Sequence, residues 1–283
     1  MKRLLAVASA CAIAVAAFAA YPSSAPAEGA DYKVVEVKNG GTIKGVVRLS
    51  GKTAIPMVKV TKDKDKGCGE DHASERIVYD EATLGLGNCL VYLKSIAAGK
   101  DWPESMKSED RTFLLDQKGC KYIPHVSWFR TGTQLVIGND DKAEHNIHGY
   151  RNTMSDTQFN VSSEPGSKKD NIEQAYLEKP ATYIVKCDIH PWMSAYAFVV
   201  EHPYYVLTSA TDKPGEFVLE NVPEGEYTLV VWKEGMVATP MESDGKISSY
   251  TYSADIVREF PVKVEAGKTV EMAPCSIDAP AAK

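Results

Sequence analysis

Two short stretches of the sequence concentrate side chains that bind soft metal ions. One is the run CDIHPWM, which carries a thiol at Cys187, an imidazole at His190 and a thioether at Met193. The other is the run HNIH, with imidazoles at His145 and His148. Two imidazoles, one thiolate and a weak thioether favour copper in an electron-transfer site, whereas zinc makes little use of a thioether. These residue types therefore predict a site for one copper ion.

Strand signals precede both stretches and predict how the ligands are positioned. Residues 182–187 are predicted to form the strand that ends at Cys187, and residues 134–137 form another strand, followed by a polar turn at 139–141. If residues 145–148 are extended, successive side chains point to opposite faces, so His145 and His148 cannot both bind the same ion. The spacing alone leaves open which of the two does so.

The rest of the chain is dominated by the same strand pattern. Short runs rich in Val, Ile, Thr and Tyr lie between Gly, Pro, Asn and Asp, and they predict strands at 42–49, 90–94, 126–129, 195–200, 217–219, 227–232 and 262–264. Helical periodicity is absent except for a brief candidate at 103–107, and 242–249 is predicted to be a polar loop. We therefore expect an all-β protein built from β-sandwiches.

The stretch from about 111 to 200 resembles the cupredoxins, most closely amicyanin and plastocyanin. The matching residues are HNIH at 145–148, the strand PATYIVK at 180–186, and Cys187, His190, Pro191 and Met193. The resemblance implies a Greek-key domain and one type 1 copper ion bound by His145, Cys187, His190 and Met193. It also implies that Asn146 steadies the ligand loops by hydrogen bonds. We expect electrons to leave through an exposed edge of His190, beside Pro191 and Trp192.

The flanks of this stretch resemble a carboxypeptidase regulatory-like, transthyretin-like sandwich. GTIKGVVRLSG at 41–51 is similar to its opening strand, and DKPGEFVLENVPEGEYTLVVW at 212–232 is similar to its middle hairpin. The resemblance implies a split domain made of residues 40–98 and 204–276, with a cupredoxin domain at 110–202 inserted in it or packed beside it. Such matches report fold and not chemistry.

Residues 1–27 are predicted to be a signal peptide and an irregular start. Lys2 and Arg3 precede an apolar run at 4–20, and small-x-small cleavage motifs end at Ala19 and Ala27. An uncleaved membrane anchor is the alternative. Removal of the segment would leave no membrane span, and we expect a periplasmic or secreted protein.

Five of the six cysteines lie outside that segment, so an exported chain would have one unpaired thiol. We assign Cys187 to the metal. For the remaining four, three pairings are possible, and we favour Cys68–Cys120 together with Cys89–Cys275.

Composition excludes several classes of function. The net charge of −6, from 32 Lys and Arg against 38 Asp and Glu, argues against a nucleic-acid partner. No CxxCH haem motif and no second set of copper ligands is present, so we do not expect an enzyme. We expect a carrier of single electrons with a redox partner protein. The alternatives are a copper carrier or sensor, and an extracytoplasmic interaction module with accessory copper.

Overall fold

The computed structural model describes residues 32–60, 67–169, 177 and 179–281. The predicted signal segment at 1–27 lies outside the described residues. Within them the chain forms 23 strands and one turn of 3-10 helix, Glu104–Met106, at the position where a brief helix was predicted. The all-β prediction is confirmed. No helix in this part of the chain is long and apolar enough to cross a membrane.

The first part of the chain contributes six strands. They are β1 (Lys33–Val34), β2 (Gly41–Leu49), β3 (Met57–Val58), β4 (His72–Ala73), β5 (Leu90–Leu93) and β6 (Ala98–Gly99).

The middle part contributes nine strands. They are β7 (Thr112–Gln117), β8 (Tyr122–Ile123), β9 (Val126–Arg130), β10 (Gln134–Gly138), β11 (His145–Arg151), β12 (Thr157–Ser163), β13 (Lys168–Lys169), β14 (Ala181–Lys186) and β15 (Ser194–Val200).

The last part contributes eight strands. They are β16 (Tyr205–Leu207), β17 (Glu216–Val222), β18 (Gly225–Lys233), β19 (Ala238–Ser243), β20 (Lys246–Tyr252), β21 (Ile256–Val264), β22 (Thr269–Glu271) and β23 (Cys275–Ile277).

The nine middle strands form two sheets, which we call the central sandwich. One sheet has the order β13-β10-β7-β8, and the other has the order β12-β11-β14-β15-β9. Apolar side chains from both sheets meet in one core, for example Leu115 and Ile137 from the first and Phe129, Tyr183 and Val185 from the second. Burying each such side chain stabilises the fold by roughly 1.5–3 kcal/mol relative to leaving it in water.

Strands from the two ends of the chain form a second pair of sheets, the flanking sandwich. One sheet has the order β16-β5-β18-β21, and in the other β2 pairs with β17, β22 and β23. The register matches the apolar alternation of β2, since Ile43, Val47 and Leu49 face the same core as Phe217 and Leu229. Strand β2 therefore pairs with strands from beyond residue 215, which lie far away in sequence.

A third apolar cluster joins the two sandwiches, and side chains of β15 form part of it. All seven residues of β15 are buried. Its odd-numbered residues, such as Ala195 and Ala197, face the core of the central sandwich. Its even-numbered residues, Tyr196 and Phe198, pack against Trp232 of β18. Both faces of β15 are therefore covered, which explains its nearly continuous apolar sequence.

One expected loop is instead a hairpin. Residues 242–249 belong to the pair β19–β20, which is joined by antiparallel bonds from Ala238–Tyr252 to Ser243–Lys246. The sequence analysis was wrong here because the side chains of β19 are mostly exposed, so backbone pairing and not burial forms the element. The partly buried ring of Tyr250, on β20, packs against the core of the central sandwich.

Candidate metal centre

A tight connection between β14 and β15 carries three of the predicted ligands. The two strands pair as an antiparallel hairpin up to Lys186 and Ser194, so the chain must reverse over residues 187–193. The Met193 amide donates to the His190 carbonyl at 3.0 Å, and the Cys187 amide donates to the Met193 carbonyl at 3.3 Å. The His190 amide points at the Cys187 sulfur, 3.4 Å away. These bonds hold the connection closed around the sulfur.

The structure brings His145, Cys187 and His190 together. Nδ1 of His145 lies 2.8 Å from Nδ1 of His190, and the Cys187 sulfur lies 3.7 Å from the same His190 atom. One ligand atom from each of the three residues falls within 4.8 Å of the others. Both histidines are 0 % exposed and Cys187 is 2 % exposed. Two imidazole nitrogens and a thiolate sulfur form a donor set that suits a soft or borderline metal ion.

Met193 is buried at the end of the same loop. It belongs to the apolar core that also contains Cys187 and Trp192. Its backbone is fixed by the two hydrogen bonds that close the loop. Its role as a fourth ligand stays a prediction.

His148 points away from the other imidazoles. Its Nδ1 lies 3.1 Å from a carboxylate oxygen of Asp188, its Nε2 lies 3.0 Å from the Thr157 hydroxyl, and the Tyr150 hydroxyl also contacts the ring. Strand alternation along β11 explains the difference, because His145 and His148 lie three residues apart in an extended segment.

Asn146 links the two ligand-bearing segments, as the sequence analysis expected. Its Oδ1 accepts the Asp188 amide at 2.7 Å and lies 3.3 Å from the Cys187 sulfur. Its Nδ2 donates to a carboxylate oxygen of Asp188 at 2.9 Å. One side chain on β11 therefore holds the start of the 187–193 connection in place.

A disulfide covers the outer edge of both buried histidines. The predicted Cys68–Cys120 bond is confirmed. The Cys68 sulfur lies 3.5 Å from Nε2 of His190, and the Cys120 sulfur lies 3.8 Å from Nε2 of His145. The expected exposed edge of His190 is therefore wrong: the ring is fully buried, with Cys68 on its Nε2 side and Trp192 at a ring distance of 5.1 Å.

The second preferred disulfide is wrong. Cys89 and Cys275 are free thiols in the core of the flanking sandwich. The Cys89 thiol turns to the Gly87 carbonyl at 3.7 Å, and Cys275 lies on β23, in the opposite sheet. Burial raises the pKa of the Cys89 thiol to about 12, which makes it unreactive.

Asp141 is a residue of the site that the sequence analysis missed. Its Oδ2 lies 2.9 Å from Nε2 of His145 and accepts the Cys120 amide at 2.8 Å. Its Oδ1 accepts the Gly119 amide at 2.6 Å. The carboxylate thus orients His145 with hydrogen on Nε2 and directs Nδ1 towards His190 and Cys187. A carboxylate four residues before a candidate ligand, in the turn that precedes its strand, was the available signal.

Hydrogen bonds shift the pKa values of two candidate ligands, Cys187 and His145, in opposite directions. Burial disfavours the Cys187 thiolate, but hydrogen bonds with His145 and His190 outweigh it and bring the pKa of Cys187 down to about 6. Burial also lowers the pKa of His145, but hydrogen bonds to Asp141 and Cys187 raise it to about 9. Near neutral pH this arrangement favours a Cys187 thiolate, the form that binds metal ions, beside a protonated His145, which has to release its Nδ1 proton before that nitrogen can bind a metal ion.

No family model and no curated protein matches this chain. Several solved structures of copper proteins match part of it. The purple cupredoxin from Nitrosopumilus maritimus is 20% identical over 31% of this chain and 98% of that chain, with a TM-score of 0.26. A reduced Cu(I) form of an amicyanin mutant is 17% identical over 39% of this chain and 98% of that chain, with a TM-score of 0.24.

A copper-containing nitrite reductase from Thermus scotoductus also matches in part. It is 18% identical over 39% of this chain and 25% of that chain, with a TM-score of 0.28. Likenesses of this size assign no function to the chain, which has to be inferred from the geometry of its own site.

Proposed function

We propose that this chain binds one copper ion through His145, Cys187 and His190, with Met193 as a weak fourth ligand, and carries single electrons between redox partners. The convergence of two imidazole nitrogens and one thiolate sulfur in a buried site carries the proposal. A copper ion bound there would supply a one-electron couple between Cu(I) and Cu(II). The proposal includes no catalytic reaction.

The surroundings of the ligands support electron transfer over copper delivery. Hydrogen bonds to Asp141 and Asn146 and the backbone bonds of the 187–193 connection hold the ligand atoms in place. A site that is preorganised in this way changes little between two oxidation states. A carrier has to release its ion to a partner, whereas both histidines here are fully buried.

Two further expectations form part of the proposal. The Cys68–Cys120 bond supports a location outside the cytosol, in the periplasm or secreted, because disulfides persist in oxidising compartments. The strand pairings support a division into a cupredoxin domain at 110–202 and a split regulatory-like domain at 40–98 and 204–276. The redox partner is proposed to be a protein.

Spectroelectrochemistry of the copper-loaded chain tests the proposed function. We expect a reversible one-electron wave and a visible absorption that disappears on reduction and returns on oxidation. His148→Ala is the matched control, because that imidazole points away from the site and its loss should leave both signals unchanged. An irreversible wave, with copper passing readily to a chelator after reduction, would support the copper-carrier alternative.

A further inference from the structure

A buried charge cluster lies at the contact between the two sandwiches. It contains Arg76, Lys233 and Glu234 from the flanking side and His125 from the central side, and all four are buried. Arg76 Nη1 lies 2.9 Å from one oxygen of Glu234, and His125 Nε2 lies 2.5 Å from the other. Lys233 Nζ donates to Glu234 at 3.2 Å. Burying charges is costly, so such a cluster calls for a role other than stability alone.

Two arms of this cluster hold Ser194, the residue that follows Met193. Arg76 Nη2 donates to the Ser194 hydroxyl at 2.9 Å. His125 Nδ1 lies 3.0 Å from the Ser194 carbonyl oxygen. Arg76 therefore binds the side chain of Ser194, and His125 contacts its backbone carbonyl. Both Arg76 and His125 also pair with Glu234.

Arg76 is itself held from several sides. Nη1 donates to the Gly235 carbonyl at 3.0 Å, and the guanidinium carbon lies 3.5 Å from the centre of the Tyr252 ring. A planar guanidinium fixed by a carboxylate, a carbonyl and an aromatic face has little freedom to follow a moving loop. The position of the flanking sandwich therefore determines where Arg76 holds the Ser194 hydroxyl.

We propose that Arg76, anchored by Glu234, is a positioning residue for the candidate metal centre, acting through Ser194 to fix the place of Met193 relative to the buried histidines. The flanking sandwich would thereby set the position of Met193, the weak fourth ligand of the proposed function. The inference rests on the proposed copper function where it concerns the potential, but the positioning itself is a property of the metal-free chain.

The variant Ser194→Ala tests this with little disturbance, because it removes one hydroxyl and leaves every buried charge paired. In the metal-free protein, hydrogen exchange of the Met193 amide should become about fivefold faster, the factor that corresponds to a lost hydrogen bond worth ~1 kcal/mol. Ser127→Ala is the matched control, since this buried serine lies on β9 and its hydroxyl contacts only the Tyr196 carbonyl, at 3.4 Å, among the described hydrogen bonds. It should leave the exchange of that amide unchanged.

The copper-loaded protein gives a second readout. Ser194→Ala should shift the reduction potential in the wild-type background and produce no shift in a Met193→Leu background, where no axial sulfur can move. The variant Arg76→Met, in which Glu234 keeps its contacts with Lys233 and His125, should reproduce both effects of Ser194→Ala.

The outcomes separate the two proposals. Wild-type exchange of the Met193 amide in both Ser194→Ala and Arg76→Met would overturn the positioning role, while an intact copper spectrum would leave the proposed function standing. Accelerated exchange without any copper spectrum would support the positioning role and overturn the proposed function. If Ser194→Ala shifts the reduction potential equally in the wild-type and Met193→Leu backgrounds, the effect does not act through Met193.

Discussion

The sulfur of Cys68 lies 3.5 Å from Nε2 of His190, so a disulfide closes the ring edge that faces away from Cys187. Its partner sulfur in Cys120 approaches Nε2 of His145 in the same way, at 3.8 Å. The Nδ1 atoms of His145 and His190 therefore face each other, whereas their Nε2 atoms face the disulfide. Solvent is thus kept from the His190 ring, and in the proposed function an electron entering or leaving would have to pass through the covering residues.

Removing the disulfide should open the site. In Cys68→Ser combined with Cys120→Ser, we expect faster removal of copper by a chelator, because the cover over both histidine edges is no longer cross-linked. The free energy of unfolding should fall by about 4 kcal/mol, since the bond closes a loop of 52 residues. Chelator kinetics and urea titration measure the two effects.

Cys275→Ala, which removes a free thiol of the flanking sandwich, should leave the chelator rate unchanged. A wild-type chelator rate in the double variant would show that the disulfide does not guard the site.

Replacing Asp141 should weaken metal binding. Asp141→Asn keeps the size of the side chain but removes one of the two acceptor oxygens that serve His145, Cys120 and Gly119. We expect copper affinity to fall by about 10- to 100-fold, as for other partners of metal-bound histidines. Competition titration measures the affinity. Above pH 9, where the His145 ring of the metal-free protein is neutral, nitrogen NMR should also show loss of the single His145 tautomer.

The neighbouring Asp140 provides the control for that variant. Its carboxylate is half exposed and pairs with Lys118 at the surface. Asp140→Asn should leave both the affinity and the His145 tautomer unchanged. Equal losses in the two variants would mean that local charge, and not the contact with His145, is responsible.

Protonation of His202 should destabilise the fold in acid. The ring is buried against Tyr204 and Tyr205, and its Nδ1 accepts the Tyr204 amide at 3.3 Å. Burial lowers the pKa of His202 from 6.5 to about 4. The folded state therefore binds this proton less readily than the unfolded state, so the stabilising contribution is present above pH 6.5 and is lost as the pH falls towards 4.

His202→Asn isolates that contribution, because the amide oxygen can replace Nδ1 as an acceptor but does not titrate. Between pH 7 and 4 the variant should lose about 3 kcal/mol less unfolding free energy than the wild type. Urea unfolding at a series of pH values measures this difference. Parallel curves for His202→Asn and the wild type would refute the assignment.

Much of the fold follows from apolar alternation. The strands around 42–49, 195–200 and 227–232 were predicted because their side chains face a core, and β2, β15 and β18 lie there with bounds that differ by at most two residues. The β19–β20 hairpin carries no such signal, since its exposed side chains leave only backbone pairing to form it. Burial is visible in residue types, whereas backbone pairing between polar segments is not.

The residues of the site also fall into those that the sequence predicts and those that only tertiary contacts reveal. Residue types and spacing predicted Cys187, His190 and one of two histidines, and the resemblance to cupredoxins chose His145; the structure brings these three together. The burial of His190 was missed because the loop around Cys68, more than a hundred residues earlier, covers it. Asp and Arg are common residue types at protein surfaces, so nothing in the sequence marks Asp141 and Arg76. Only tertiary contacts reveal what they bind. The failure of the Cys89–Cys275 pairing has the same origin, since a shared core does not align two thiols.

The visible absorption spectrum of the metal-free protein titrated with Cu(II) tests the central claim most directly. The account predicts an intense thiolate-to-copper charge-transfer band that saturates at one equivalent in the wild type and is absent in Cys187→Ser. Met193→Leu should keep the band and shift the reduction potential, because the thioether is a weak ligand. A wild-type protein that binds no copper, or a band that survives Cys187→Ser, would contradict the account.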